Sequence, residues 1–384
     1  MLEQIRKPGL SYNHILHAAR PCLPGALTGF WKQPLCCFQV FCIFAHNQWI
    51  LYMEKYIASA ARYDAAGEMY RRCGNSGILL PKVSLGFWQN FGRDASYENC
   101  RAIARLAFDN GVTHFDLANN YGPPPGAAEE LLGRMLKDDF ATHRDELFIA
   151  SKAGYDMWQG PYGSWGSRKH LISSLDQSLS RMQLDYVDLF YIHRYDPVTP
   201  LDETLQALVD IVHSGKALYI GISRWPLEAL EYANRFLREQ GVPPLIFQGR
   251  LNLLDRAVQE EGIPAYCKAE GLGFISFSAL AQGLLTERYL NGIPTDSRMA
   301  RGGSLQQEKL TPELIEYLNS LNAMAVERGT SLATMSLAWV LAQEGVTSVL
   351  VGARTPEQFT ESLRCISLSQ SICKELPLYP HKVF

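Results

Sequence analysis

The amino-acid sequence predicts an α/β protein built on a (β/α)8 barrel, or TIM barrel, with an N-terminal hairpin cap and extra helices before the last strand. The first observation is that eight short apolar runs alternate with helix-like segments, mostly about thirty to forty residues apart. The second is the stretch Gly86–Gly92, which comes after the first run and lacks the GxGxxG turn of a doubly wound sheet. The third is that three successive runs end on ionisable side chains, which a parallel barrel would gather at one end.

Residues 1–67 show no persistent apolar period, unlike the rest of the chain, and are predicted to be an atypical, poorly ordered extension. Several prolines break any long helical pattern, and the apolar run 35–52 is interrupted by His46, Asn47 and Gln48. Those polar side chains count against a membrane helix, and the run starts too late for a signal peptide. We therefore expect no membrane partner, and this apolar run is the one weak indication of membrane contact. Translated sequence upstream of a start at Met53 is the other alternative.

The barrel is predicted to occupy residues 68–366, and a short divergent tail covers residues 367–384. A hairpin that turns between Gly74 and Gly77 precedes the first strand and is placed to cap the bottom of the barrel. The predicted strands are Lys82–Gly86, Val112–Asp116, Leu147–Ser151, Val187–Ile192, Ala217–Ile222, Pro244–Gln248, Gly273–Phe277 and Thr347–Val351.

Helices are predicted between these strands from apolar residues at helical spacing. Leu171, Leu175 and Leu179 have this spacing. Ser167 precedes them as a candidate N-cap. A second such pattern begins at Leu201 and is expected to stop at Gly215, because glycine is the common residue just past a helix end.

The interval before the last strand is longer than the others. It is predicted to hold a loop over Ala279–Gly303 and then two helices, Pro312–Arg328 and Leu332–Gln343. A loop of this length in a compact domain is usually functional or disordered. Its arginines Arg288 and Arg298 favour a function for it.

Composition limits the classes of protein to consider. The 384 residues are 47% hydrophobic, enough for a large core, and the formal net charge of −3 with scattered charges gives no sign of a nucleic-acid partner. Nine cysteines, with no CxxC pair, suit reduced thiols in a cytoplasmic protein better than a disulfide framework or a zinc site.

Four ionisable groups stand at or just after strand ends. Asp116, Lys152 and His193 end three successive apolar runs, and Tyr121 comes five residues after the aspartate. Each residue alone is more simply explained as a cap, a loop aromatic or a solvated strand end. Because all strand C-termini of a parallel barrel open on one face, we expect the four side chains to converge there.

Several segments together resemble the aldo-keto reductases. They resemble in particular the branch of L-glyceraldehyde 3-phosphate (methylglyoxal) reductases and voltage-gated potassium channel β-subunits. The resemblance covers about residues 69–366. The segments are Phe115–Gly122, Ser151–Lys152, Ile192–Arg194, Gly221–Trp225, Gly352–Arg354, Tyr121–Gly126 and Ala281–Thr286.

The resemblance implies a catalytic tetrad of Asp116, Tyr121, Lys152 and His193, with Tyr121 as the proton donor. A phenol with an ordinary pKa near 10 is a weak acid. We therefore expect Lys152 to lower the pKa of Tyr121, and Asp116 to keep the lysine charged and in place. His193 would hydrogen-bond the substrate carbonyl.

The resemblance also implies an NADP(H) site, and no flavin or metal signature is present. Gln248 would hold the carboxamide, and Phe277 would stack on the nicotinamide or simply belong to the core. Arginine matches a phosphate with its planar fork of donors, so NADPH is preferred over NADH. The implied cofactor residues are Trp88, Asp116, Ser223, Arg224, Gln248, Phe277, Ser278, Leu280, Gln282, Arg288, Arg298, Gly352, Arg354, Gln358 and Glu361.

Some residues depart from the family pattern. Glu287-Arg288 stands where the family has Gly-Lys, which adds a carboxylate beside a phosphate-binding charge. Ala279 replaces a proline, and Gly249–Leu251 replaces a segment that usually carries an aromatic residue. The tail lacks the final acidic helix.

The expected function is NADPH-dependent reduction of small aldehydes, of the methylglyoxal or L-glyceraldehyde 3-phosphate class, to alcohols in the cytoplasm. A non-catalytic NADPH-binding partner subunit of the channel β kind and a degraded, inactive barrel are the alternatives. The resemblance implies asparagine in place of His193 for the channel group, so the histidine favours turnover. The expected partner is a small aldehyde, and no nucleic-acid or membrane partner is expected. The sequence leaves open whether the protein forms a homo-oligomer.

Overall fold

The computed structural model describes residues 56–372, except 296, 298, 301, 303 and 304, together with residues 376–381 and 383. The predictions for residues 1–55, including the apolar run, and for Arg298 lie outside the described residues. The division of the chain at residues 67 and 366 stays a prediction.

Eight parallel strands close into a barrel, as predicted from the alternation of apolar runs. They pair in chain order, and the last strand closes the barrel against the first. Most of their residues are buried because helices cover the outside of the barrel and side chains fill its inside. The barrel strands are β3 (Val83–Gly86), β4 (His114–Asp116), β5 (Phe148–Ala153), β6 (Val187–Ile192), β7 (Ala217–Ser223), β8 (Ile246–Arg250), β9 (Gly273–Phe277) and β10 (Val346–Val351).

The predicted hairpin is formed by β1 (Tyr70–Arg72) and β2 (Leu79–Pro81), which pair antiparallel. The backbone N–H of Asn75 in its turn donates to the carbonyl of Gly271, just before β9. Leu80 is fully buried against side chains inside the barrel. The hairpin therefore covers the end at which the strands begin and leaves the other end open.

Helices connect the strands on the outside of the barrel. Ser167 caps the helix Arg168–Met182 by accepting from the backbone N–H of His170, as the sequence predicts. The helices are α1 (Ala66–Met69), α2 (Tyr97–Asp109), α3 (Ala127–Met135), α4 (Arg168–Met182), α5 (Leu201–His213), α6 (Leu227–Glu239), α7 (Ala257–Glu260), α8 (Ile263–Glu270), α9 (Pro312–Glu327), α10 (Leu332–Leu341), α11 (Pro356–Leu363) and α12 (Cys365–Leu368). The two helices predicted before the last strand are α9 and α10.

Residues 56–65 contact the barrel, although the sequence placed them in the extension. Tyr56 Oη donates to Asp109 Oδ1 at 2.7 Å, and the Arg62 guanidinium forms an ion pair with Glu146 at 2.6 Å. At the other end of the chain, Tyr379 is buried and its carbonyl accepts from Arg256. In the part of the chain that the structure describes, no helix has the length and apolar composition needed to cross a membrane.

Candidate active site

Three neighbouring strands place the four ionisable side chains at the open end of the barrel. Asp116 is the last residue of β4, Lys152 lies in β5, and His193 comes directly after β6. Tyr121 lies on the loop after β4. Because β4, β5 and β6 are consecutive in the barrel, these side chains point toward a common centre.

Lys152 and Asp116 form an ion pair in the barrel interior. Lys152 Nζ donates to Asp116 Oδ2 at 2.5 Å and to the carbonyl of Leu117 at 2.7 Å, and the lysine side chain is fully buried. The other carboxylate oxygen, Oδ1, accepts from Gln248 Nε2 at 3.1 Å. Burial lowers the pKa of Lys152, and the Asp116 carboxylate opposes this change.

Tyr121 completes the contact with this pair. Its hydroxyl lies 3.4 Å from Lys152 Nζ. Burial, with the nearby charge of Asp116, raises the pKa of Tyr121 well above its ordinary value. The pKa of Tyr121 in the protein alone is therefore raised and not lowered as expected, because desolvation outweighs the stabilisation of a phenolate by Lys152, whose ammonium is already paired with Asp116. The phenol stays protonated at neutral pH.

His193 lies beside Tyr121 in the same cluster of ionisable side chains. Its ring lies edge-on to Tyr121 and Tyr155, with centroid distances of 5.8 and 4.7 Å. Burial, together with the charges of Lys152 and Arg224, lowers the pKa of His193 well below its ordinary value. Nδ1 has no hydrogen-bonding partner among the described residues. A neutral ring therefore carries its proton most favourably on Nε2, where it can be donated.

One large cavity, of about 1280 Å³, opens at this end of the barrel. Its size exceeds that of most drug-sized sites and suits a dinucleotide together with a small substrate. Asp116, Tyr121 and His193 line it, whereas Lys152 is buried behind them. The other predicted site residues that line it are Trp88, Ser223, Arg224, Gln248, Phe277, Ser278, Leu280, Gln282, Arg288, Gly352, Arg354, Gln358 and Glu361.

The loop after β9 has a backbone suited to a phosphate. Ser278, Ala281 and Gln282 all have positive φ values, of 53°, 47° and 59°. Turns of this kind can expose backbone N–H groups to an anion, although Ala281 already donates its own N–H to the carbonyl of Ser278. Arg288 lies on the same loop and also lines the cavity. The residues present therefore fit a phosphate-bearing cofactor.

The unusual carboxylate of Glu287 has a partner in the fold. Its Oε1 accepts at 2.7 Å from the backbone N–H of Leu332, the first residue of α10. A carboxylate is stabilised at a helix N-terminus, where backbone N–H groups lack intrahelical partners. The negative charge that the sequence placed beside a phosphate site is thus used to attach the loop to α10.

Sequence reasoning missed three residues of this end of the barrel. Tyr155 lines the cavity and packs on His193, and Arg250 lines it from the end of β8. Trp225 lines a smaller neighbouring cavity. One signal was position, since each residue lies at or just after the C-terminal end of a strand. Trp225 and Arg250 also fall within the segments Gly221–Trp225 and Gly249–Leu251 that the sequence analysis had singled out.

Comparison with known proteins identifies the family. The profile described as Aldo/keto reductase family matches residues 82–376. The chain belongs to the aldo/keto reductase family. Family membership identifies it as an oxidoreductase, in agreement with the barrel and with the resemblance of the sequence motifs.

Three relatives extend this assignment. The chain is 53% identical over 326 residues to the L-glyceraldehyde 3-phosphate reductase of Escherichia coli K12, covering 84% of this chain and 93% of the relative. It is 54% identical over 317 residues to the protein of the same name in Escherichia coli O157:H7, with 81% and 91% covered. A probable voltage-gated potassium channel subunit beta of Oryza sativa subsp. japonica is 34% identical over 317 residues, with 80% and 94% covered. The homology to named reductases supports aldehyde reduction by this family member.

Proposed function

We propose that this protein reduces small aldehydes, of the methylglyoxal or L-glyceraldehyde 3-phosphate class, to alcohols with NADPH. The observation that carries the proposal is the contact chain Asp116–Lys152–Tyr121, which places a buried phenol beside a buried ion pair at the edge of the large cavity. A cytoplasmic setting is part of the same proposal.

The side chains support both halves of a carbonyl reduction. The nicotinamide would supply a hydride, which no side chain can supply. As the carbonyl carbon gains the hydride, its oxygen gains negative charge and needs a proton. Tyr121 would donate this proton, and Lys152 would stabilise the phenolate left behind. Solvent returns the proton to Tyr121 after the alcohol leaves.

The neutral state of His193 has a specific use in this scheme. An Nε2–H donor can hydrogen-bond the carbonyl oxygen and fix its angle, whereas a cationic imidazolium would compete with Tyr121 as the acid. The low pKa of His193 keeps this division of roles at neutral pH.

The cofactor residues favour NADPH. Arg288, on the loop of positive-φ residues, lines the cavity, and so do Arg354 and Gln358. The backbone N–H of Arg354 donates to Gln358 Oε1 at 3.0 Å, which fixes the turn before α11. Guanidinium groups match phosphate oxygens well, so a 2′-phosphate is favoured here over a hydroxyl.

A non-catalytic NADPH-binding partner subunit is the second candidate, because one relative is a probable channel subunit. His193, beside Tyr121, favours turnover over this alternative. A chain that binds NADPH but never oxidises it would support the second candidate, and a chain that does neither would support a degraded barrel.

The deciding experiment replaces the phenol. Tyr121→Phe should lower kcat for methylglyoxal at least about a hundredfold, the usual contribution of a general acid, while NADPH still quenches protein fluorescence. Tyr219→Phe is the matched control, since it removes a hydroxyl from the β7 residue that packs on Phe148 and not on the cavity. Unchanged turnover in Tyr121→Phe would refute the assignment of the proton donor.

A further inference from the structure

A second buried carboxylate lies beside β5, outside the group of four ionisable side chains. Glu129, in the first turn of α3, is fully buried. Its Oε1 accepts from Ser151 Oγ at 2.5 Å, and its Oε2 accepts from Arg181 Nε at 2.7 Å. The proposed reduction assigns no role to this carboxylate, although it lies one residue from the strand position of the ammonium.

The serine that contacts Glu129 comes directly before Lys152 in β5. Successive side chains of a strand point to opposite faces. Lys152 points into the barrel, where it contacts Asp116, so Ser151 points outward to the helices. Ser151 is fully buried there. A movement of the strand at Ser151 would therefore also move Lys152.

The helix that carries Glu129 is attached to Tyr121. The backbone N–H of Ala128, the residue before Glu129, donates to the carbonyl of Tyr121 at 3.3 Å. Only five residues of chain separate Tyr121 from the start of α3. The carboxylate of Glu129 thus joins the segment that carries the phenol to the strand that carries the ammonium.

Tyr121 lies between two attachments of its loop to β5. Before it, the backbone N–H of Asn119 donates to the carbonyl of Lys152 at 3.0 Å. After it, Ser151 donates to Glu129. The two attachments end on adjacent residues of β5. The loop is therefore fixed on both sides of the phenol to the part of the strand from which the ammonium projects.

Arg181 of α4 orients the carboxylate. Its guanidinium holds Oε2, which leaves Oε1 directed at Ser151. Helix α3 starts close against this side chain, since a Cβ added at Gly126 would lie 2.9 Å from Arg181 Cδ. A buried ion pair often contributes no more stability than apolar side chains of the same size. An orienting role therefore accounts for this pair better than stability alone.

The charge of Glu129 acts in the same direction as its contacts. Burial lowers the pKa of Lys152, and the Asp116 and Glu129 carboxylates both oppose this change. The second carboxylate thus helps to keep the lysine charged from the other side of the strand.

We propose that Glu129 is a positioning residue that holds Lys152 in contact with Tyr121. It acts through Ser151, and the contact that it maintains is the 3.4 Å approach of the ammonium to the hydroxyl. This inference rests on the proposed reductase function and adds a residue that determines its rate without touching substrate or cofactor. Misplacement of a reacting group by about 1 Å can cost up to about a hundredfold in rate.

The kinetic test removes the serine hydroxyl and then restores it. With saturating methylglyoxal, the single-turnover rate of NADPH oxidation should fall about tenfold in Ser151→Ala, while NADPH affinity stays unchanged. Ser151→Thr keeps the hydroxyl and should retain most of the rate. Ser348→Ala is the matched control, because Ser348 is also a fully buried strand serine and bonds Ser84 at 2.7 Å instead.

A double-variant cycle tests whether the carboxylate and the hydroxyl act together. Glu129→Ala should lower the single-turnover rate at least as much as Ser151→Ala does. The variant with both changes should be no slower than Glu129→Ala, since the same hydrogen bond is already absent. If Glu129→Ala does not fold, the Ser151 variants decide alone.

Three kinetic results would overturn the proposal. They are an unchanged rate in Ser151→Ala, an equal fall in Ser348→Ala, and a further tenfold fall on adding Ser151→Ala to Glu129→Ala. A loss of NADPH affinity as large as the loss of rate would indicate general damage to the barrel and would also contradict it.

If wild type oxidises no NADPH with the aldehyde, the proposed function fails, and a measurement without turnover decides the positioning. Fluorine NMR of protein made with 3-fluorotyrosine identifies the Tyr121 signal by its loss in Tyr121→Phe. This signal should shift in Ser151→Ala and keep its position in Ser348→Ala. A Tyr121 signal that does not respond to the loss of the Ser151 hydroxyl would contradict the inference.

Discussion

The buried pair Asp116–Lys152 allows a prediction that separates stability from chemistry. Lys152 is fully buried, and the carboxylate 2.5 Å away is nearly so. Lys152→Met leaves an anion that still accepts from Gln248 but has lost its counter-ion, and Asp116→Asn leaves a buried ammonium without its carboxylate. Removing one partner of a buried pair typically costs about 3–5 kcal/mol, because the other charge stays desolvated.

The double variant Asp116→Asn/Lys152→Met removes both charges together. It should therefore be destabilised by far less than the sum of the two single variants, with a coupling energy of at least about 2 kcal/mol. Urea unfolding followed by tryptophan fluorescence measures these free energies. The double variant should regain stability but stay inactive in NADPH oxidation, since Tyr121 has lost its cationic neighbour.

Two results would refute this reasoning. Additive free energies would mean that the two groups do not interact as buried charges. Recovery of turnover in the double variant would mean that the ammonium is not needed beside Tyr121.

Three further predictions concern other groups. Because the pKa of His193 is well below its ordinary value, kcat/KM should show no inflection near about pH 6.5 as the pH falls from about 8 to 6; a loss of activity there would contradict a neutral imidazole. Burial lowers the pKa of His114 from 6.5 to about 4, so the unfolded chain binds this proton more tightly than the folded protein does. As the pH falls from 6.5 to about 4, the free energy of unfolding should therefore fall by up to about 3 kcal/mol. His114→Gln should flatten this slope in urea titrations. Glu287→Gln removes a charge at the N-terminus of α10 and should lower the unfolding free energy by about 0.5–1 kcal/mol in the same assay, whereas Glu308→Gln, on the exposed turn before α9, should not.

The barrel was predictable because parallel strands are covered on both faces. Such strands appear as continuous apolar runs, and β6 and β9 match their predicted bounds to the residue. The run predicted at Pro244–Gln248 instead forms β8 at Ile246–Arg250. Pro243 and Pro244 have no backbone N–H to offer the ladder, and Arg250 pairs with Phe277 because β9 extends that far.

The meeting of the four ionisable groups was predictable from topology, but their electrostatics was not. Position at the C-terminal ends of the strands predicts which side chains lie together at the open end of the barrel. The depth of burial decides the pKa of Tyr121, and sequence does not give that depth. The contact of Gln248 with Asp116 links strands β4 and β8 across the barrel, 132 residues apart in the chain.

The most direct test of the proposed reduction traces the hydride itself. Wild-type protein is mixed with glyceraldehyde 3-phosphate and NADPH that carries deuterium at the transferable C4 position, and the product alcohol is analysed by mass spectrometry. We expect one deuterium at the former aldehyde carbon for each NADPH oxidised, and labelled product that forms at least about a hundredfold more slowly with Tyr121→Phe. Binding of NADPH without aldehyde-dependent oxidation, or product without deuterium, would contradict the proposed hydride transfer.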